Sequence, residues 1–416
     1  MAGGRTIQVA ERRRTSAIYS TNMTLRIASV TTLFMLSAIT LVAQKPRARD
    51  LGVPFSGTPG ALNAITDVAG VEVGHATLIS GEGKLVRGSG PVRTGVTVVS
   101  PDKIGEANRF YGAFYAQNGN GEMTGTTWLE ESGMLEGAVF ITNTHAVGTV
   151  RDAYIAWQVQ HAPPPNPARF GETVFSLPIV AETWDGYLND IYGFHVKPEH
   201  VAQAIESAKP GVLPAEGNVG GGTGMVCYGF KGGIGTSSRK VQTASGAFTV
   251  GVLVQCNCGR RPQLLVAGAP VGEEITDDVP YAANPKLEQT ETGSIIIVVA
   301  TDAPLLPHQL RRIAHRATMG LARTGSISGN GSGDIFIAFS TANARRGIEP
   351  KLRTVSELPN EEMDPLFAGT VQATEEAIVN AMVGAETMIG VDGHKVIALP
   401  HDRLRTILRK YNRLAK

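Results

Sequence analysis

An α/β fold is what this sequence predicts, and three patterns carry that reading. From Arg47 onward, short apolar runs of strand length alternate with segments of helical period. Ile295 to Ala300 is apolar without interruption, as in a strand buried on both faces. Behind it, Leu310, Ile313, Ala314, Ala317 and Leu321 recur at spacings of three and four, which makes one stripe of a helix.

The elements follow in chain order. Val71–Val73, Val96–Val99, Gly137–Thr142 and Val174–Val180 read as short strands. A helix falls within Val196 to Lys209, where Val201, Ala204 and Ile205 share a face. A glycine tract, EGNVGGGTGM (Glu216 to Met225), precedes strands expected at Phe248–Gln255 and Gln263–Ala267. Residues 268 to 293 are polar, carry Pro270, Pro280 and Pro285, and read as an exposed loop in which cleavage is tolerated. Ser294–Ala300 is the next strand, and Asp302, Pro304 and Pro307 open a helix over His308 to Arg323. The loop GSISGNGSG (residues 325 to 333) leads into a strand at Asp334–Phe339. A long helix over Pro365 to Ile389 and a basic helix from Asp402 complete the pattern, with Glu375 and Glu376 read as a solvated face. No internal repeat of solenoid period is visible.

The N-terminus stands outside this pattern. Arg5, Arg12, Arg13 and Arg14 precede an apolar run from Ile27 to Ala43, flanked by Arg26. A basic flank before an apolar segment of that length reads as a secretory signal peptide over residues 1–43, with Met23 as an alternative start and cleavage near Ala43-Gln44. The alternative is an uncleaved anchor, for which the run is at the short end. Of the 416 residues 42% are hydrophobic and 18% charged, and the net charge is +1. That is globular composition with enough chain for a large core, and it gives no electrostatic case for nucleic acid or an anionic membrane as partner. Cys227, Cys256 and Cys258 fit neither a disulfide framework nor a zinc spacing, and read as small core residues. Export without obligatory disulfides points to a bacterial periplasm or secretion.

The candidate chemistry centres on Gly293-Ser294, which sits directly before the apolar run. If that bond is cut, Ser294 becomes an N-terminal serine whose α-amine serves as base for its own hydroxyl. The competing reading is an ordinary turn before a core strand. If the strands at Ser294 and Asp334 lie parallel, with the helix between them as crossover, Ser294, Ser332 and Asp334 start on the same sheet edge. An antiparallel arrangement would separate them. The G-x-S-x-G elbow is absent, since Ser332 sits one residue out of register in GNGSGD, and neither HExxH nor a P-loop lysine occurs. The glycine tract lacks GKS or GKT, and reads as close backbone packing rather than phosphate binding. His145 and His394 read as satisfied or solvated imidazoles. No cluster has metal-ligand spacing, so neither metal nor cofactor is implied.

Six segments together resemble the L-aminopeptidase/D-esterase group, which includes the β-peptidyl aminopeptidases. They are RARDLGVPFSGTPGALNAITDVAGVEVGH, EGNVGGGTGMVCYGFKGGIGTSSR, VGVLVQCNCGRR, ETGSIIIVVATDAPLLPHQLRRIA, SGNGSGDIFIAFSTAN and VIALPHDRLR, and they run in the family's order from Arg47 to near the C-terminus. The resemblance implies a four-layer αββα sandwich similar to N-terminal nucleophile hydrolases. It also implies a precursor that cuts itself between Gly293 and Ser294, leaving a larger chain (44–293) and a smaller one (294–416) led by the nucleophile. Ser332 and Asp334 match the family's second serine and acidic residue. Asn257 matches its oxyanion-binding asparagine, and Tyr187 its upstream tyrosine. The substrates implied are short peptides, amides or esters with a free N-terminal amine, with L-, D- and β-residues left open. Glu182 and Asp185 are both candidates for binding that amine. Paired chains would assemble as homo-oligomers, commonly tetramers. A hydrolase of ω-amino acid oligomers and a non-catalytic secreted binding protein are the alternatives.

Overall fold

The apolar runs become strands of two sheets. The computed structural model describes residues 45–106, 108–162, 175–281, 293–346 and 352–415. In chain order its strands are β1 (Glu72–Ser80), β2 (Val92–Ser100), β3 (Asn108–Gly119), β4 (Met134–Glu136), β5 (Val139–Asn143), β6 (Ile179–Thr183), β7 (Lys209–Pro210), β8 (Val226–Cys227) and β9 (Phe230–Lys231). Then come β10 (Gly233–Gln242), β11 (Ala247–Asn257), β12 (Ser294–Thr301), β13 (Gly333–Arg346), β14 (Met388–Ile389) and β15 (Lys395–Val396). The α-helices are α1 (Thr126–Ser132), α2 (Val147–His161), α3 (Pro198–Ser207), α4 (Val271–Glu274), α5 (Pro307–Arg323), α6 (Asp364–Val383) and α7 (His401–Lys410). Residues 1–43, expected to be a signal peptide, lie outside the described residues, among which no helix is long and apolar enough to cross a membrane.

Five strands pair in the order β6-β5-β2-β1-β7, and six in the order β10-β11-β12-β13-β3-β4. The sheets face each other through Val73, Val99, Ile141 and Ala181 on one side and Leu253, Ile296, Val298 and Ile337 on the other. On the outer face of the smaller sheet, Val150 and Tyr154 of α2 and Val201 and Ala204 of α3 pack on Val96, Phe140 and Val180. Beneath the larger sheet, Ile313 and Ala317 of α5 and Ala373 and Ala377 of α6 pack against Val252, Ile295, Ile297 and Phe336. The layers are therefore helix, sheet, sheet, helix: an αββα sandwich. Strand β12 explains why its sequence is apolar throughout. Ile295 and Ile297 belong to the helix-covered core, whereas Ile296 and Val298 fill the space between the sheets. Each such side chain contributes about 1.5–3 kcal/mol by burial.

Several expectations are corrected. Gln263–Ala267 is not a strand: Arg261–Gln263 form a 3-10 turn, and Val266 bridges Ala269. The buried Arg261 guanidinium organises this turn by donating to the carbonyls of Tyr228, Gly229, Ile275 and Asp277. β6 starts at Ile179, directly after Pro178, which has no N–H for a ladder, and Val174 of the expected strand lies outside the described residues. α6 stops at Val383 instead of reaching Ile389, because Met388–Ile389 pair with Lys395–Val396 in a hairpin. Within the expected loop, α4 forms a short helix, and residues 282–292 lie outside the described residues. Cys227 and Cys256 form a disulfide where none was expected. The Tyr228 N–H donates to Cys258 O at 2.7 Å and so lays β8 beside the end of β11.

Glu376 is the sharpest reversal. Far from facing solvent, it is fully buried and accepts hydrogen bonds from Arg49 at 2.7 and 2.8 Å, Asn63 at 2.6 Å and Arg239 at 2.6 Å. Burial pushes its pKa up, but the Arg49 and Arg239 charges and these hydrogen bonds outweigh that and hold it below the usual carboxylate range. A carboxyl whose pKa is depressed by folding stabilises the fold above its unfolded pKa, and that contribution is lost as pH falls through the folded value. Glu376→Ala leaves two arginines uncompensated and is expected to cost about 3–5 kcal/mol. Urea denaturation checks this, and an unchanged midpoint would contradict it.

Candidate active site

β12 and β13 are parallel with α5 as their crossover, so the condition set by the sequence is met. The register places Ser294 opposite Gly333 and Ile295 opposite Asp334. On its other side β12 runs antiparallel to β11, which places Asn257 opposite Ser294. One sheet edge thus brings together Gly293, Ser294, Ser332, Asp334 and Asn257.

The Ser294 hydroxyl donates to Gly293 O at 2.7 Å, and Gly333 N–H donates to the same carbonyl at 3.2 Å. A Cβ on residue 293 would lie 2.3 Å from Asn257 O and 2.7 Å from Cys258 Cα, so glycine is what lets this peptide lie against β11. Ser332 Oγ donates to Asp334 Oδ1 at 2.7 Å, and both residues are fully buried.

The Asn257 amide has an assigned orientation. Its Oδ1 accepts Val226 N–H at 2.7 Å, and its Nδ2 donates to Trp184 O at 3.0 Å. A backbone donor on one side and a backbone acceptor on the other admit one placement of oxygen and nitrogen. Among the described residues the second Nδ2–H has no acceptor.

Glu182 is buried; Oε1 accepts Glu122 N–H at 3.0 Å, and Oε2 accepts the Thr144 hydroxyl. Burial raises its pKa against those hydrogen bonds. A Cβ at Gly121 would lie 3.2 Å from Glu182 Oε1 and 3.3 Å from Gly333 Cα, which brings this carboxylate to the Ser294 edge. Asp185 is also buried and accepts Asn189 Nδ2 at 3.0 Å, and burial pushes its carboxyl up to about 7.

Tyr187 has different company. Its ring stacks on His394, with centroids 4.4 Å apart, and tilts against Tyr281, while its phenol oxygen accepts Tyr281 N–H at 3.3 Å. His394 is satisfied through the Tyr187 carbonyl at 2.9 Å. His145 is half-buried against the rings of Tyr192 and Phe194, and its buried Nδ1 has no partner among the described residues, so that nitrogen is not satisfied as expected. The glycine tract packs closely, as expected: a Cβ at Gly221 would lie 2.2 Å from Gln255 Oε1.

Sequence reasoning missed the residues that aim the 325–333 loop. Asn118 at the end of β3 donates to Gly329 O at 2.6 Å, and Asn120 donates to Gly331 O at 2.7 Å. These contacts set Ser332 into the edge from more than 200 residues away in the chain (separation 211). No local pattern announces them.

Comparisons with known proteins bear on the family and the fold. Residues 63–396 match the model of Peptidase family S58. The chain is 54% identical over 392 residues to a beta-peptidyl aminopeptidase of Sphingosinicella microcystinivorans, spanning 92% of this chain and 96% of that one. It is 47% identical over 390 residues to a beta-peptidyl aminopeptidase of Sphingosinicella xenopeptidilytica, spanning 91% and 95%. Among solved structures it resembles the L-aminopeptidase D-Ala-esterase/amidase of Ochrobactrum anthropi, a variant of the Ntn hydrolase fold (TM-score 0.82, 46% identity, 89% of this chain and 100% of that one). It also resembles a beta-aminopeptidase of Burkholderia sp. (TM-score 0.77, 43% identity, 88% and 99%).

Proposed function

The chain belongs to peptidase family S58 and is an aminopeptidase, and from that premise we propose that it cuts itself at Gly293–Ser294 and then releases N-terminal β-amino acid residues from short peptides and amides. The observation that carries self-processing is the shared hydrogen bonding of the Gly293 carbonyl, to the hydroxyl of the next residue and to Gly333 N–H. Family membership also sets aside the reading as a non-catalytic binding protein.

In the precursor, Ser294 Oγ attacks the Gly293 carbonyl carbon, and the hydroxyl proton passes to the departing Ser294 nitrogen. The C–N bond breaks, an ester forms, and water hydrolyses it to a Gly293 carboxylate and a free Ser294 amine. The negative oxygen formed on the way is stabilised by Gly333 N–H and the second Asn257 Nδ2–H, at about 3–4 kcal/mol per donor. The released α-amine, with an ordinary pKa near ~8, takes the hydroxyl proton in later turnovers. Ser332, oriented by Asp334, relays or steadies that proton.

A substrate then occupies the place of Gly293. Its carbonyl is attacked, its amine or peptide leaves with the proton, and water frees the acyl group from Ser294. Glu182, whose Oε1 lies close to the Gly333 backbone at the same edge, receives the substrate ammonium as a further donor beside Glu122 N–H and the Thr144 hydroxyl. In the same reading residues 1–43 direct export to the periplasm, and chains 44–293 and 294–416 pair and assemble as a homotetramer.

The preference for β-residues rests on the two beta-peptidyl relatives. It is tested by comparing kcat/KM for the amide of a β-residue, the amide of its L-α counterpart and the N-acetylated β-amide. The β-amide is expected to be turned over fastest, and acetylation to abolish turnover. Faster hydrolysis of the L-α-amide would contradict the β preference, and turnover of the acetylated amide would contradict recognition of the amine.

A further inference from the structure

The Asn257 amide is held at each end by a peptide unit, and each of those units ends on a buried charged residue. Val226 N–H donates to Asn257 Oδ1 at 2.7 Å, and the carbonyl of that same peptide unit, Met225 O, accepts from Lys231 Nζ at 2.8 Å. Asn257 Nδ2 donates to Trp184 O at 3.0 Å, and that peptide unit ends at Asp185, a buried carboxylate whose Oδ1 accepts from Asn189. The donors run in one direction from the lysine: ammonium, peptide, side-chain amide, peptide.

We propose that Lys231 is a positioning residue that orients and polarises the Asn257 amide as a donor to the oxyanion formed under attack by Ser294. This rests on the role given to Asn257 in the proposed function.

Packing does not explain the lysine. Lys231 is fully buried, and its Nζ donates to three carbonyls, those of Met225, Gly232 at 2.8 Å and Gly222 at 3.4 Å. Taking an ammonium out of water costs several kcal/mol, so a leucine or methionine would serve a merely structural position better. Burial draws the Lys231 pKa down to about 7, and the Asp185 charge works against that shift. The three carbonyls and the Asp185 charge together favour the ammonium at this depth.

The consequence for Asn257 follows from polarisation. Hydrogen bonds in a low-dielectric interior strengthen one another along a chain, by roughly 10–30% per bond. A cation at the head of this chain draws electron density from the Met225–Val226 peptide, and that peptide draws it from Asn257. Both Nδ2–H bonds become more positive. One is fixed by Trp184 O, which prevents the amide from turning over, and the other stabilises the oxyanion.

A double-mutant cycle tests the proposal, read in two ways: the first-order rate of Gly293–Ser294 cleavage, and kcat and KM of processed protein on a β-residue amide. Lys231→Met is expected to slow cleavage and kcat about 30-fold with KM changed less than about 3-fold, a fraction of the loss from deleting an oxyanion donor. Lys231→Gln, which retains a neutral donor, falls between Lys231→Met and wild type. In an Asn257→Ala background the Lys231→Met substitution costs less than about 2-fold more, since its effect passes through the missing amide. A full 30-fold further loss in that background would overturn the proposal while leaving the oxyanion role of Asn257 in place. So would an effect confined to KM, or failure of both Lys231 variants to fold, since either makes the lysine a core residue alone. Full activity of Asn257→Ala by itself would remove the oxyanion role and the proposal together.

Discussion

Ser294→Ala is expected to yield one uncut chain with no turnover, a loss of at least ~10⁵-fold, because in sites of this kind the nucleophile carries nearly all of the chemical step. Alanine retains the Cβ and leaves the packing of β12 intact, while removing the hydroxyl whose hydrogen bond goes to Gly293 O. The fold should therefore survive with an unchanged melting temperature, so loss of activity is not loss of structure. Mass spectrometry reads the uncut chain, and amide hydrolysis reads the activity. Full activity in this variant would refute Ser294 as nucleophile. Ser332→Ala separates the two hydroxyls: it removes the partner of Asp334 but keeps the attacking group, and should slow both steps about 10²-fold rather than abolish them.

Gly293→Ala should accumulate precursor although Ser294 is intact. The added Cβ would stand 2.3 Å from Asn257 O and 2.7 Å from Cys258 Cα, and both are backbone atoms of the β11 end, which cannot rotate aside. The peptide must shift, which draws the carbonyl away from Gly333 N–H and from the serine hydroxyl. A misplacement of about 1 Å at a reacting centre costs about 10²-fold, and the cleavage rate should fall at least that far. The measurement is the fraction of cut chain against time after synthesis. Cleavage at the wild-type rate would show that the close approach to β11 is not part of the reaction.

The parts of the site that sequence made legible are those written in strong local patterns. The apolar run of β12, the three-and-four stripe of α5 and the small-residue loop before β13 are each written locally, and the parallel pairing, on which the sequence left the placement of Ser294 beside Ser332 and Asp334 conditional, is met in the structure. Elements whose polar residues find distant partners were hidden. β10, GIGTSSRKVQ, looks like a surface segment, yet Ser238 pairs with Asp67, and Arg239 pairs with Glu376 and the Ser56 carbonyl. Those partners lie 137 to 183 residues away, so no window of sequence contains them. The same holds for Glu376, read as solvated because both arginines that bury it come from other elements. β3 was missed because NRFYGAFYAQNG is mostly half-buried, and its buried residues, Phe110, Gly112 and Ala113, break the alternation. Asn257 was legible only through resemblance. What fixes it, the peptide units of Val226 and Trp184, is tertiary.

Self-cleavage is the central claim, and intact mass together with N-terminal sequencing of the purified active protein tests it most directly. Two chains are expected, the smaller beginning Ser-Ile-Ile-Ile at Ser294. A single uncut chain in protein that hydrolyses its substrate would contradict the assignment of Ser294 as an N-terminal nucleophile.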